Sequence, residues 1–155
     1  MPSEWSCTLP KDAHPDPAVL AAIAALDREM DRHGKGRDDP IRALCGYVGD
    51  RWSTLILLVL ETGEWRHGAL RRVLAEISDE GAISQRVLTL KLRGLERDGL
   101  VGRIVTEDVP PKVSYHLTAT GKGFVSQIHG MIDWIADHEK EIAAARELFD
   151  AAKLR

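Results

Sequence analysis

From Asp16 onward the apolar residues fall at helical spacing. Val19, Ile23, Leu26 and Met30 recur at steps of four, three and four, which places them on one face of a helix. Asp16 is a fitting N-cap and Pro17 a fitting first position, and Gly34 and Gly36 end the pattern. Asp39-Pro40 opens a second helix to about Val48, with Ile41, Leu44 and Val48 inward. Gly49 breaks it, and Asp50 caps a third helix from Arg51 to Thr62. The run Leu55–Leu60 makes that helix apolar nearly all round, so it is expected at the buried centre. After Gly63, Glu64-Trp65-Arg66 reads as a short strand. Residues 67–77 read as a fourth helix, with Leu70, Val73 and Leu74 inward and Arg71 and Arg72 outward.

A polar turn, Ser78 to Ala82, leads to a fifth helix capped by Ser84 and running through Asp98. Leu88, Leu92 and Leu95 stand there at i, i+4 and i+7. Leu100–Glu107 and Lys112–Leu117 are rich in β-formers and flank Asp108-Val109-Pro110-Pro111, a loop too proline-rich for a strand. Together they predict a β-hairpin. Thr118 then caps a long C-terminal helix. Its stripe Phe124, Ile128, Met131, Ile135, His138, Ile142, Ala145, Phe149 alternates steps of four and three, as in a helix that packs lengthwise on another. So small a chain has little left to bury such a stripe, and a second copy is the natural partner.

The pattern predicts a mainly α fold with a small β-hairpin (α+β): a winged helix-turn-helix with extra N- and C-terminal dimerisation helices. The expected organisation is an N-terminal arm and extra helix over 1–38, a winged core over 39–119 and a dimerisation helix over 120–155. Residues 1–15, with three prolines, read as an irregular arm.

Charge sharpens this reading. The net charge is −3, yet residues 66–103 hold eight Lys and Arg against five Asp and Glu. The positive charge gathers in the segment holding the fourth and fifth helices, as a nucleic-acid-binding face requires. On the fifth helix Gln85, Arg86, Thr89 and Arg93 lie opposite the leucines, with Lys91 on the flank. Arg pairs bidentately with guanine and Gln with adenine in the major groove. Ser84, Gln85, Arg86, Thr89, Lys91 and Arg93 are therefore the candidate DNA contacts. Arg103 and Lys112, near the ends of the hairpin, are placed to meet phosphate or the minor groove. A merely solvated polar face is the competing reading.

Residues 39–121 resemble the HxlR-type family of bacterial regulators. The resemblance rests on Gly49-Asp50-Arg51-Trp52 followed by Leu55-Ile56-Leu57, on Leu70-Arg71-Arg72, Ile83-Ser84-Gln85-Arg86-Val87-Leu88, Lys91 through Val101, Val109-Pro110-Pro111-Lys112-Val113-Ser114-Tyr115, and Leu117 through Gly121. It implies a homodimeric repressor or activator that binds duplex DNA. The expected dimer interface is Val19, Ile23, Leu26, Phe124, Ile128, Met131, Ile135 and Ile142. The extra first helix serves either that dimer or packing on its own core. The family commonly has a thiol where this chain has Asp39, so thiol sensing is not expected there.

Two cysteines, Cys7 and Cys45, do not make a disulfide framework, and Cys45 is expected to be buried. Trp52 and Trp65 are expected in the core, and Trp134 either packs or lines a cavity near the dimer interface. His129 and Asp133 share a helix face, but His138 lies off it, and no metal or cofactor is expected. No nucleophile elbow or phosphate loop is present, so an enzyme is not expected. Neither a secretory signal nor a membrane span is recognisable, so a cytoplasmic protein with no membrane partner is expected. The expected partners are operator DNA, a second copy and, still open, a small-molecule effector. A winged module that binds protein only, or a ligand-responsive regulator of MarR type, is the alternative.

Overall fold

The structure, a computed structural model, describes residues 16–34, 36, 39–79 and 81–153. The proline-bearing arm, with Trp5 and Cys7, lies outside the described residues. The elements are α1 (Pro17–His33), α2 (Pro40–Gly49), α3 (Arg51–Glu61), β1 (Trp65–Arg66), α4 (His67–Ile77), α5 (Gln85–Arg97), β2 (Val101–Val105), β3 (Val113–Leu117), α6 (Ala119–Asp137) and α7 (Glu139–Lys153). The chain divides into two compact units, Met1–Leu44 and Cys45–Arg155. No single described helix is long and apolar enough to cross a membrane.

In the first unit, Asp16 caps α1 by accepting from the Ala18 N–H at 2.9 Å. None of the α1 residues is buried: Val19, Ile23, Leu26 and Met30 are 49–59% exposed. Ile41, expected inward, is also exposed.

The second unit is built around α3, which packs on α4, α5, α6 and β3. Ile56, Leu57 and Leu60 of α3, Leu70 and Leu74 of α4, Leu88, Leu92 and Leu95 of α5, and Val125 and Ile128 of α6 make up this core, all 2% exposed or less. Burying each such side chain contributes about 1.5–3 kcal/mol. The core is therefore leucine-dominated, as the helical spacing predicts. Trp52 and Trp65, expected inside, are only half-buried, and Cys45 is exposed.

The sheet is antiparallel in the order β1-β3-β2. Trp65 pairs with Tyr115, and Val101 pairs with Leu117 at the base of the β2–β3 hairpin. Thr118 ties that base to α6. Its N–H donates to the Leu100 carbonyl at 3.0 Å, and its hydroxyl donates to the Gly99 carbonyl at 2.6 Å and accepts from the Gly121 N–H at 3.0 Å. A Cβ at position 121 would overlap the Leu100 carbonyl oxygen. Only glycine lets α6 approach the hairpin this closely. The helix-turn-helix α4–α5 followed by this hairpin is the winged helix-turn-helix expected from the pattern.

The single long C-terminal helix is not what forms. The chain breaks at His138, where Nδ1 bonds the Trp134 carbonyl at 2.7 Å and the ring stacks on Trp134 with centroids 4.2 Å apart. The His138 N–H donates to the Trp134 and Ile135 carbonyls, closing α6. α7 starts at once, with Glu139 and Glu141 in its first turn, where negative charge favours a helix N-terminus.

Candidate nucleic-acid interface

Local chemistry fixes where α5 begins. The Ser84 hydroxyl accepts from the Val87 N–H at 3.1 Å, satisfying one of the free donors of the first turn. Leu88, Leu92 and Leu95 then anchor the helix to the core. At its far end Tyr47 of α2 donates to Asp98 at 2.6 Å. A Cβ at position 94 would lie 3.0 Å from the Tyr47 hydroxyl oxygen, so Gly94 lets α2 and α5 touch. Burial first, and then the Asp98 carboxylate, push the Tyr47 hydroxyl above its ordinary pKa and keep it protonated. Asp98 is thus held as an acceptor.

The opposite face of α5 is open. Gln85, Arg86, Leu90 and Arg93 are exposed, and with Thr89 they line one shallow depression. A neighbouring groove, between α5 and the sheet, is lined by Thr89, Arg93, Glu96, Arg103 and Tyr115. Arg86, Arg93 and Arg103 make no ion pair with any described residue. Three guanidinium groups therefore stand without an ion-pair partner among the described residues around the outer face of α5 and β2, which suits acceptors on a polyanion.

Several candidate contacts are engaged inside the protein. Lys91 is not on the open face: its Nζ pairs with Asp50 at 2.9 Å. Asp50 also caps α3 through the Ser53 N–H at 2.9 Å and hydroxyl at 2.5 Å. Burial would raise the Asp50 carboxyl, but the hydrogen bonds from Ser53 and Lys91 outweigh it and hold the group below its ordinary pKa. Lys91 thus ties α5 to the start of α3, and its ammonium is engaged within the chain. Lys112 stays exposed at the wing but pairs with Asp108 at 3.1 Å. Asp108 also accepts from the Thr106 hydroxyl at 3.0 Å. Arg103 lies in mid-strand, facing the α5 groove rather than the end of the hairpin.

Sequence reasoning missed His67. Its Nε2 lies 3.1 Å from the Thr89 hydroxyl, which donates to the Gln85 carbonyl at 2.8 Å, and its ring stands 6.3 Å from that of Tyr115. It therefore joins α4, α5 and β3. Burial, then the Arg71 charge, lower its pKa and favour the neutral ring. A histidine at the start of a helix carries no signal of such a junction. Leu90 was also missed, although its place out of phase with the buried leucines was legible.

The expected interface residues divide. Ile128 is 1% exposed because the chain's own core covers it, so it has no surface left for a partner. Phe124 and Ile142 are half-buried, whereas Met131 and Ile135 are exposed, as are Trp134 and Phe149. His129 bonds Glu61 of α3 at 2.7 Å.

Comparison with known proteins agrees with this geometry. Residues 47–143 match the family described as HxlR-like helix-turn-helix. The chain is 35% identical over 108 residues to the HTH-type transcriptional regulator YtfH of Escherichia coli, covering 70% of this chain and 81% of that one. Among solved structures, a transcriptional regulator ytfH from Salmonella typhimurium is 32% identical with a TM-score of 0.57, covering 72% of this chain and 95% of its own. A transcriptional regulator of the MarR family from Enterococcus faecalis is 28% identical with a TM-score of 0.57, covering 72% and 99%. With the winged fold and the match over residues 47–143 together, this chain belongs to the HxlR-like helix-turn-helix family of transcriptional regulators.

Proposed function

We propose that the chain is a sequence-specific regulator of repressor type that acts as a cytoplasmic homodimer on duplex DNA. The observation that carries this reading is the outer face of α5. Gln85, Arg86 and Arg93 point away from a leucine-anchored underside, beside a hairpin wing. A recognition helix needs rigid support below and long hydrogen-bonding side chains above. In this reading Gln85, Arg86 and Arg93 enter the major groove, Arg103 and Lys112 meet phosphate, and Ser84 and Thr89 orient the helix.

Homodimerisation is supported by apolar side chains exposed among the described residues: the α1 stripe, and Met131, Trp134 and Ile135 on α6. Two-fold symmetry would present two recognition helices to two half-sites about one DNA turn apart. The test is fluorescence anisotropy with the DNA upstream of the gene and of its divergent neighbour, against random duplex. Binding at least tenfold tighter to one such fragment is the expected result. Equal binding to random DNA would overturn sequence specificity, and no binding to either would favour a protein-only module.

A further inference from the structure

The outer face of α5 holds one side chain that does not suit a polar solvent face. Leu90 is 58% exposed, while Leu88, Leu92 and Leu95 of the same helix are wholly buried. It stands four residues after Arg86 and three before Arg93, in the middle of the outward strip. With Gln85, Arg86, Thr89 and Arg93 it lines the depression described above. A leucine here lies outside the buried core of its own chain and leaves most of its apolar surface in water among polar neighbours.

On the major-groove edges of the four base pairs, the apolar group is the C5-methyl of thymine; the other features are hydrogen-bond donors and acceptors. We infer that Leu90 is a specificity-determining residue that packs on a thymine methyl group in the major groove, between the bases addressed by Arg86 and Arg93. The inference rests on the proposed entry of α5 into that groove. Leu90 then supplies a preference for thymine over cytosine, which presents a donor amine and no methyl group. Cover from both sides would remove the methyl and the leucine tip from water together.

The experiment uses the full chain and duplexes enriched from a random-sequence library by binding to it. Each thymine is replaced singly by deoxyuridine, which deletes only the methyl group. The expected result is a loss of affinity of about fourfold at one thymine in each half-site, the size expected for one buried carbon. Leu90→Ala should bind the thymine duplex more weakly by a similar factor and be indifferent to uracil there, whereas Leu90→Met should keep the preference. Methyl sensitivity unchanged in Leu90→Ala, or no sensitive thymine in an enriched duplex, would overturn the role of Leu90 and leave the DNA reading standing. Equal weakening of Leu90→Ala on enriched and random DNA would also overturn it. Failure to enrich any sequence would overturn the DNA reading itself, and Leu90 with it.

Discussion

α5 and α1 carry apolar stripes of similar regularity, and the two stripes have opposite fates. Leu88, Leu92 and Leu95 are wholly buried, whereas Val19, Ile23, Leu26 and Met30 are 49–59% exposed. Spacing tells which face of a helix is apolar; it does not tell whose atoms will cover that face. Charge shows the same contrast on a smaller scale. Lys91 and Arg86 lie on one helix, yet Lys91 is tied to Asp50 and Arg86 has no ion-pair partner among the described residues. A side chain's neighbours, more than its type, decide whether its charge is engaged within the chain or left open.

The largest expected effect breaks the first contrast directly. Leu92→Ala should lower folding stability by about 2–5 kcal/mol, since it leaves a cavity in a close-packed core. Ile23→Ala should change the stability of the monomer by less than about 0.5 kcal/mol. Urea denaturation of both variants at low protein concentration checks this, and equal losses would mean that the two stripes are covered in the same way.

Next, Ile135→Asp combined with Ile23→Asp should weaken self-association by about 1.5–3 kcal/mol while leaving the helical signal intact, because neither side chain belongs to the core. Sedimentation across a concentration series reads the change. Ile128→Asp, by contrast, should unfold the protein, since it puts a charge where the chain's own core is closed.

The charge contrast is tested by Arg86→Ala, which should lose about 1–3 kcal/mol of specific binding if it reads a guanine. Lys91→Ala should keep DNA affinity and lose up to about 1 kcal/mol of stability, the range for a solvent-screened pair. Reversal of that order would return Lys91 to the DNA face. Lys112→Ala should reduce the salt dependence of affinity by less than the full phosphate-contact value of about 0.9, because Asp108 already balances part of its charge. A full reduction would mean that the Asp108 pair opens on DNA.

The smallest effect concerns pH. The His67 pKa is lowered in the folded chain, so as pH falls through the ordinary histidine value of about 6.5 the unfolded chain takes up the proton first and stability falls. His67→Asn should flatten that part of the melting curve. Asp50, whose pKa is lowered from a carboxylate value, acts only at more acid pH and does not interfere. An unchanged pH dependence in the variant would exclude His67 as its source.

The fold was largely legible because its stabilising residues repeat locally. The leucines of α5, the Leu55–Leu60 run and the proline-bearing hairpin each announce themselves within a dozen residues. What was not legible depends on contacts distant in sequence or on atomic detail. Nothing near Lys91 reveals Asp50, and nothing near His67 reveals Thr89. The heptad-like stripe ran through Ile128 and His138 without interruption, but Ile128 turned into its own core. The backbone closure and Trp134 stack at His138 split the helix. Leu90 is the opposite case, since its misfit with the buried phase stood in the sequence unused.

Gly94 and Gly121 have different prospects under mutation. At position 94 the obstacle is the tip of Tyr47, so a larger residue there can be accommodated by a smaller one at 47. The two positions form a pair that can drift together, and related chains should show them covarying. At position 121 the obstacle is the Leu100 carbonyl, which every amino acid possesses. No second substitution can remove it. Position 121 should therefore stay glycine throughout the lineage wherever the hairpin meets α6 this closely, an evolutionary constraint imposed by backbone and not by any partner side chain.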